Sequence, residues 1–267
     1  MRTSSGRPRV APVNARSART AARWVGDILI TLGVVIGLLL VYQLWWTNGQ
    51  AARAASAGRE TLVASWSAGA GVVAPSTARS PSAGGDARPS PRPPDSDQAV
   101  PQPVAVPRVG RPFALMYIPR LRDMVWGLPV VEGVGLDELA KGIGHYPGTA
   151  MPGEVGNFAT AGHRATHGEP LRDIDRMRKG DRVIVETQNG WYVYELDDDR
   201  IVMPTETWVI DPVPGEPDVA PTEALITLTT CNPRWASYER WAWWGHLVEQ
   251  RARVDGPPAE IAASKAG

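Results

Sequence analysis

The chain has 267 residues, room for one or two domains. Its 28 basic side chains balance 28 acidic ones, which removes the electrostatic footprint expected of a nucleic-acid binder. A single cysteine, Cys231, excludes any intrachain disulfide, so its meaning depends on compartment: a small buried hydrophobe in a cytosolic protein, a candidate reactive thiol in an exported one.

The N-terminus decides the compartment. Arg2, Arg7, Arg9, Arg16, Arg19 and Arg23 precede the first acid, Asp27. Ile28–Trp46 then runs 19 residues without a charge. As a helix it spans about 28 Å, close to the hydrocarbon thickness of a bilayer. The arginine bias predicts a cytoplasmic N-terminus (residues 1–27) and an extracytoplasmic remainder, with Trp45 and Trp46 in the outer interface belt. The alternative is a cleaved secretory signal with Ala52-Arg53-Ala54 as its processing site, against which the length of the apolar run argues. Residues 47–109 read as an Ala-, Pro- and Ser-rich linker. Gln50–Ala70 has helix-compatible spacing, and Ala74–Arg108 carries nine prolines and no aromatic residue, the composition of an extended spacer.

Residues 110–254 hold enough chain for one core. Phe113–Ile118 and Val125–Val131 read as strands, Leu136–Lys141 as a short helix, Tyr146–Gly153 as turns, Gly156–Gly162 as a strand and Pro170–Met177 as a short helix. Arg182–Glu186 and Trp191–Glu195 flank Asn189-Gly190, the strongest hairpin signal in the chain. Arg200–Pro204 and Trp208–Ile210 suggest edge strands, and Ala224–Thr230 and Trp241–Glu249 the last two strands, followed by a flexible tail, 255–267. Seven or eight short strands with short helices predict a mainly β fold, a closed or nearly closed barrel.

Three residues carry candidate chemistry. Cys231 ends an apolar strand at the Asn232-Pro233 turn, rigidly placed and accessible, and a thiolate attacks acyl carbons well. His163 closes the strand ending Ala161-Gly162 and has the chemistry of a general acid and base. Arg240, nine residues after Cys231, offers a guanidinium to a developing oxyanion, with Arg234 as its rival. His145 and His246 read as structural. His163 and His167 are four residues apart but lack a helical His-Glu-x-x-His pattern, so no metal site and no cofactor are expected.

Thr227–Cys231 with Arg240 downstream, preceded by Ala161-Gly-His-Arg164, resembles the sortases, membrane-anchored cysteine transpeptidases of Gram-positive bacteria. Gly144–Ala150, Pro152–Phe158 and Asp211–Gly215 resemble the class E branch of actinobacteria, over roughly Pro112–Val248. The resemblance implies an eight-stranded sortase-type β-barrel. Cys231 matches the nucleophile that attacks the Thr–Gly bond of a C-terminal LPxTG- or LAxTG-like sorting signal, His163 the acid/base, and Arg240 the residue that orients the peptide and supports the oxyanion. It further implies Thr230, His167 and Asn157 as substrate-binding residues and an amine of a peptidoglycan precursor as acceptor. Two departures stand out: His167 where relatives carry a tyrosine, and Trp241-Ala-Trp243-Trp244 where the last strand is usually aliphatic. Papain-type peptidases place cysteine before histidine, the reverse of this order, and the Ser-His-Gly-Cys-like motif of an L,D-transpeptidase is missing. The competing reading is a non-enzymatic, membrane-tethered β-domain that binds wall or protein partners through its tryptophans.

Overall fold

A computed structural model describes residues 15–70, 101 and 104–265. Arg2, Arg7 and Arg9 lie outside the described residues, as does most of the Pro-rich spacer. The chain divides into two compact units, Met1–Trp46 and Thr47–Gly267.

In the first unit, helix α1 (Ala15–Ala70) begins. Leu29, Ile30, Val35 and Leu38 are all exposed, although they point in different directions around the helix. A helix apolar on every side suits a lipid solvent rather than water. The helix is long and apolar enough to cross a membrane.

The second unit is built on a closed barrel of eight strands: β1 (Pro112–Tyr117), β2 (Trp126–Glu132), β3 (Ile143–His145), β4 (Gly156–Ala161), β5 (Arg182–Thr187), β6 (Gly190–Val202), β7 (Ala224–Asn232) and β8 (Glu239–Ala252). The strands close in the order β1-β2-β3-β4-β7-β8-β6-β5. The pairs β2/β3 and β4/β7 are parallel and the others antiparallel. The β5–β6 hairpin forms as its Asn-Gly signal predicts, with the Thr187 hydroxyl accepting from the amides of Asn189 and Gly190.

Side-chain alternation explains the packing. In β1, β5 and β6, residues Ala114, Met116, Val183, Val185, Tyr192 and Tyr194 enter the barrel core, where they meet Phe158, Leu228 and Trp243. Their neighbours Leu115, Tyr117, Ile184, Trp191 and Val193 face outward. This outer face is not wet, because Leu62 and Trp66 of α1 and Ile261 of α2 cover it; here α2 denotes the C-terminal helix Ala259–Lys265.

Of the two readings open for Gln50–Ala70, an extension of the apolar helix or disorder, the first is the one seen, with residues 47–70 helical and Ala51, Leu62 and Trp66 buried. Several expectations are corrected. The expected flexible tail contains α2, which is held because Ile261 finds an apolar face to fill. Trp208–Ile210 is not a strand but part of a 3-10 segment, Thr207–Ile210, whose Val209 packs with Val202 and Ala242. Arg200–Val202 is the end of a continuous β6. The expected helix over Pro170–Met177 is reduced to a 3-10 turn at Ile174–Arg176, and that over Leu136–Lys141 to the single turn Leu136–Leu139. His145, just before the expected turns, lies in β3, a strand that was not expected.

Candidate active site

The site sits where β4, β7 and β8 end together. Parallel pairing of β4 with β7 runs to Ala161 opposite Thr229. Two residues beyond this last pair the two segments reach His163 and Cys231. The contact continues to that level: the Gly162 amide donates to the Thr229 carbonyl at 3.0 Å, and the Thr230 hydroxyl donates to the Gly162 carbonyl at 2.6 Å. On the other side of β7, Cys231 pairs directly with Arg240 of β8. Cross-strand partners of this kind hold their Cβ atoms about 4.5–5.5 Å apart on one face. Cys231 thus stands on β7 beside Arg240 of β8, with His163 just past the end of β4 on its other side, and its thiol is free and half-buried.

Arg240 donates through Nη1 to the carbonyls of Ser237 and Glu239, both at 2.8 Å, which aims the guanidinium from the hairpin while leaving Nη2 and Nε uncommitted. Its rival Arg234 is committed elsewhere, to the carboxylate of Glu169 and to the Trp235 ring, 4.6 Å from the centroid.

His163 keeps Nε2 buried without a hydrogen-bond partner. Burial pushes its imidazole below the ordinary histidine range, and the neighbouring charge of His167, with ring centroids 5.3 Å apart, pushes in the same direction. Gly162 is required just before it, because a Cβ there would stand 2.9 Å from Leu171 and 3.0 Å from Ile143. The close approach that a glycine suggested in the sequence is thus made by two core side chains.

The residues implied to bind substrate separate into three cases. His167 is exposed beside His163, with its ring nitrogen 2.8 Å from the Thr166 hydroxyl. Thr230 is buried and its hydroxyl is spent on Gly162, so it fixes the end of β4 rather than facing a ligand. Asn157 does not join the site: its amide donates to the Asp211 carbonyl and accepts from the Thr227 hydroxyl at the far end of β4, holding the segment before β7 in place. The structure corrects that expectation because an amide satisfied at both ends and 1% exposed has nothing left to offer a peptide.

Other polar residues organise the site. Arg164, next to His163, donates to Asn232, next to Cys231, and lies 5.1 Å from the centroid of Trp241. Asn232 in turn donates to Glu239, beside Arg240, at 2.6 Å. One chain of contacts thus ties together the three residues adjacent to the candidate triad. A charged residue directly after a buried strand was the one available signal.

The tryptophans fall into place as well. Trp243 is a core residue, Trp241 packs against the core and donates to Asp199 at 2.7 Å, and Trp244 stacks on Trp208 and donates to the Val209 carbonyl. His145 is buried against Glu132 and Thr149, and His246 sits on the outside of β8, its imidazole raised above the usual range chiefly by its hydrogen bond with Asp197. Among the described residues no group of three or more His, Cys, Asp or Glu side chains is arranged to hold a metal ion.

A family model described as the sortase domain matches residues 116–248. Sortase SrtE2 of Streptomyces coelicolor is 31% identical over 97% of the chain and 94% of its own length. Sortase SrtE1 of the same organism is 37% identical over 91% of the chain, and the matched region spans 61% of that relative. Among solved structures, sortase E from Streptomyces avermitilis superimposes with a TM-score of 0.52 at 41% identity, covering 58% of this chain and 99% of that one.

Proposed function

The chain belongs to the sortase family, and we propose that it is a membrane-anchored cysteine transpeptidase acting on LPxTG- or LAxTG-like C-terminal sorting signals. The observation that carries this reading is the position of Cys231, paired with Arg240 of β8 on one side and flanked on the other by β4, which ends two residues before His163.

The chemistry follows from that order. Cys231 gives its thiol proton to His163 as the sulfur attacks the carbonyl of the threonine in the Thr–Gly bond, and negative charge develops on the carbonyl oxygen. Arg240, with Nη1 already fixed by two carbonyls, turns its free donors toward that oxygen. The C–N bond breaks as His163 passes a proton to the departing glycine amine, which leaves a thioester on Cys231. An incoming amine then attacks the thioester, His163 removes its proton, the C–S bond breaks and the thiol returns. The acceptor in this reading is an amino group of a peptidoglycan precursor. The apolar stretch 28–46 holds the enzyme in the membrane, with the N-terminus in the cytoplasm and the barrel outside. Thr230 acts here through the backbone of Gly162, and His167 through its contact with His163.

The alternative of a non-enzymatic wall-binding domain needs an open tryptophan surface. Trp243 is inside the core, Trp244 stacks on Trp208 and Trp241 packs against the core, which leaves Trp235 as a single exposed indole in the β7–β8 turn rather than a tryptophan surface. The test is mass spectrometry of the enzyme with a panel of signal peptides. A peptide–enzyme thioester that disappears in Cys231→Ala supports the reading, and absence of an adduct with every peptide sinks it.

A further inference from the structure

The loop that leaves His163 is bent in an uncommon way. Thr166, His167 and Glu169 have φ of 62°, 51° and 48°, and Gly168 between them has φ of 87°. Left-handed conformations are unfavourable for non-glycine residues and persist only where the surroundings over-determine them. The internal bonds of the loop are those of an ordinary turn: the Glu169 amide donates to the Thr166 carbonyl and the Leu171 amide to the His163 carbonyl.

The remaining constraint comes from two distant places. Asn48 stands on α1, two residues beyond the apolar stretch. Its amide donates to Glu169 Oε1 at 2.9 Å, and its carbonyl oxygen accepts from the Gly168 backbone amide at 2.9 Å. Arg234, in the turn between β7 and β8, binds the other oxygen of Glu169. Glu169 is 5% exposed and is gripped from both sides. Burial works to raise its carboxyl, but the hydrogen bonds from Asn48 and Arg234 and the guanidinium charge hold it below the usual carboxylate range. A buried carboxylate kept ionised by two partners is a rigid joint, since removing either partner leaves an unpaired charge.

We propose that Asn48 is a positioning residue for His163: with Arg234 it locks Glu169, and through it the left-handed turn that closes the His163 loop against the Cys231–Arg240 hairpin. The first helical turn after the membrane stretch is in this way part of the active-site frame rather than a spacer. The catalytic consequence rests on the transpeptidase reading above; the structural consequence does not.

The test uses the full-length chain in detergent micelles, with Asn48→Ala, Asn48→Asp, Arg234→Ala and the double variant Asn48→Ala/Arg234→Ala. Hydrogen exchange is followed at the amides of Gly168, Leu171 and Arg172, and thioester formation is followed as kcat and KM. Asn48→Ala is expected to speed exchange across 163–172 and to lower kcat about ten- to hundred-fold while KM stays within about twofold, the pattern of a misplaced catalytic group. Asn48→Asp keeps the size and the acceptor for Gly168 but sets a carboxylate against Glu169, so it restores nothing. The double variant loses less than the product of the single losses, because both partners act through Glu169. Unchanged exchange in Asn48→Ala, a kcat within about twofold of wild type, or fully multiplicative losses would each overturn the proposal. A wild-type enzyme that forms no thioester with any peptide, while Asn48→Ala still loosens the loop, overturns the transpeptidase reading and leaves the positioning of His163 supported.

Discussion

Cys231 of β7 and Arg240 of β8 are direct cross-strand partners, so their side chains leave the sheet on the same face, one strand apart. The eight residues between them are the ends of two strands and the turn that joins them. Arg240→Ala is expected to slow thioester formation about 10²- to 10³-fold, the usual cost of losing one oxyanion donor. Arg240→Lys should recover part of this, since an ammonium supplies charge without the planar fork. Burst kinetics on a signal peptide read both. Wild-type acylation in Arg240→Ala would remove the oxyanion role from this residue.

His163 leads to a pH prediction with a definite sign. Burial, then the charge of His167, lowers its pKa below the ordinary 6.5. The unfolded chain therefore binds the proton more readily, and the contribution of His163 to stability is complete above about pH 6.5 and is lost as pH falls through its lower folded value. Urea midpoints of wild type minus His163→Ala, plotted against pH, should rise across that window. In His167→Ala the His163 NMR titration should move upward yet stay below 6.5, because burial remains. A wild-type midpoint at or above 6.5 contradicts the account.

The legible and illegible parts of this molecule divide by sequence separation. The β5–β6 hairpin and the strand ending at Cys231 carry their signals locally, in an Asn-Gly turn and a continuous apolar run. β3 was passed over because Ile143-Gly144-His145 has no strand signature of its own; it is a strand only by parallel pairing with Val130–Glu132. Trp208–Ile210 looked like an edge strand because its apolar residues are needed to cover Ala242 and Trp244, and burial alone does not say which backbone supplies it. Asn157 belongs to a matching motif, yet its amide is consumed by Asp211 and Thr227, which only the fold reveals. Asn48 and Glu169 are 121 residues apart, and no local pattern links them.

Trp243, one of the unusual aromatics of β8, is a packing residue. It is 4% exposed in the barrel core, and its Nε1 has no partner. Trp243→Ala should cost about 3–5 kcal/mol, the range for emptying a buried aromatic site. Trp243→Phe forfeits no hydrogen bond and leaves a smaller void than Trp243→Ala, so it should cost clearly less than the alanine variant. Equilibrium denaturation measures both. Equal losses in the two variants would mean that the indole nitrogen is satisfied in solution.

The C-terminal helix separates apolar from ionic stabilisation at one place. Ile261 is 2% exposed between α2 and the outer barrel face that Leu62 and Trp66 also cover. One residue earlier, Glu260 pairs with Arg182 at 2.6 Å in a partly solvated setting. Ile261→Ala should cost about 2–5 kcal/mol, because the barrel face beneath it cannot collapse to fill the space. Glu260→Ala should cost about 0–1 kcal/mol, the worth of a solvent-screened pair. A chain ending at Asp255 should lose at least as much stability as Ile261→Ala, since it uncovers Leu62 and Trp66 together. If that truncation unfolds at the wild-type denaturant midpoint, the helix is not held by the apolar face and the covering role assigned to Ile261 is wrong.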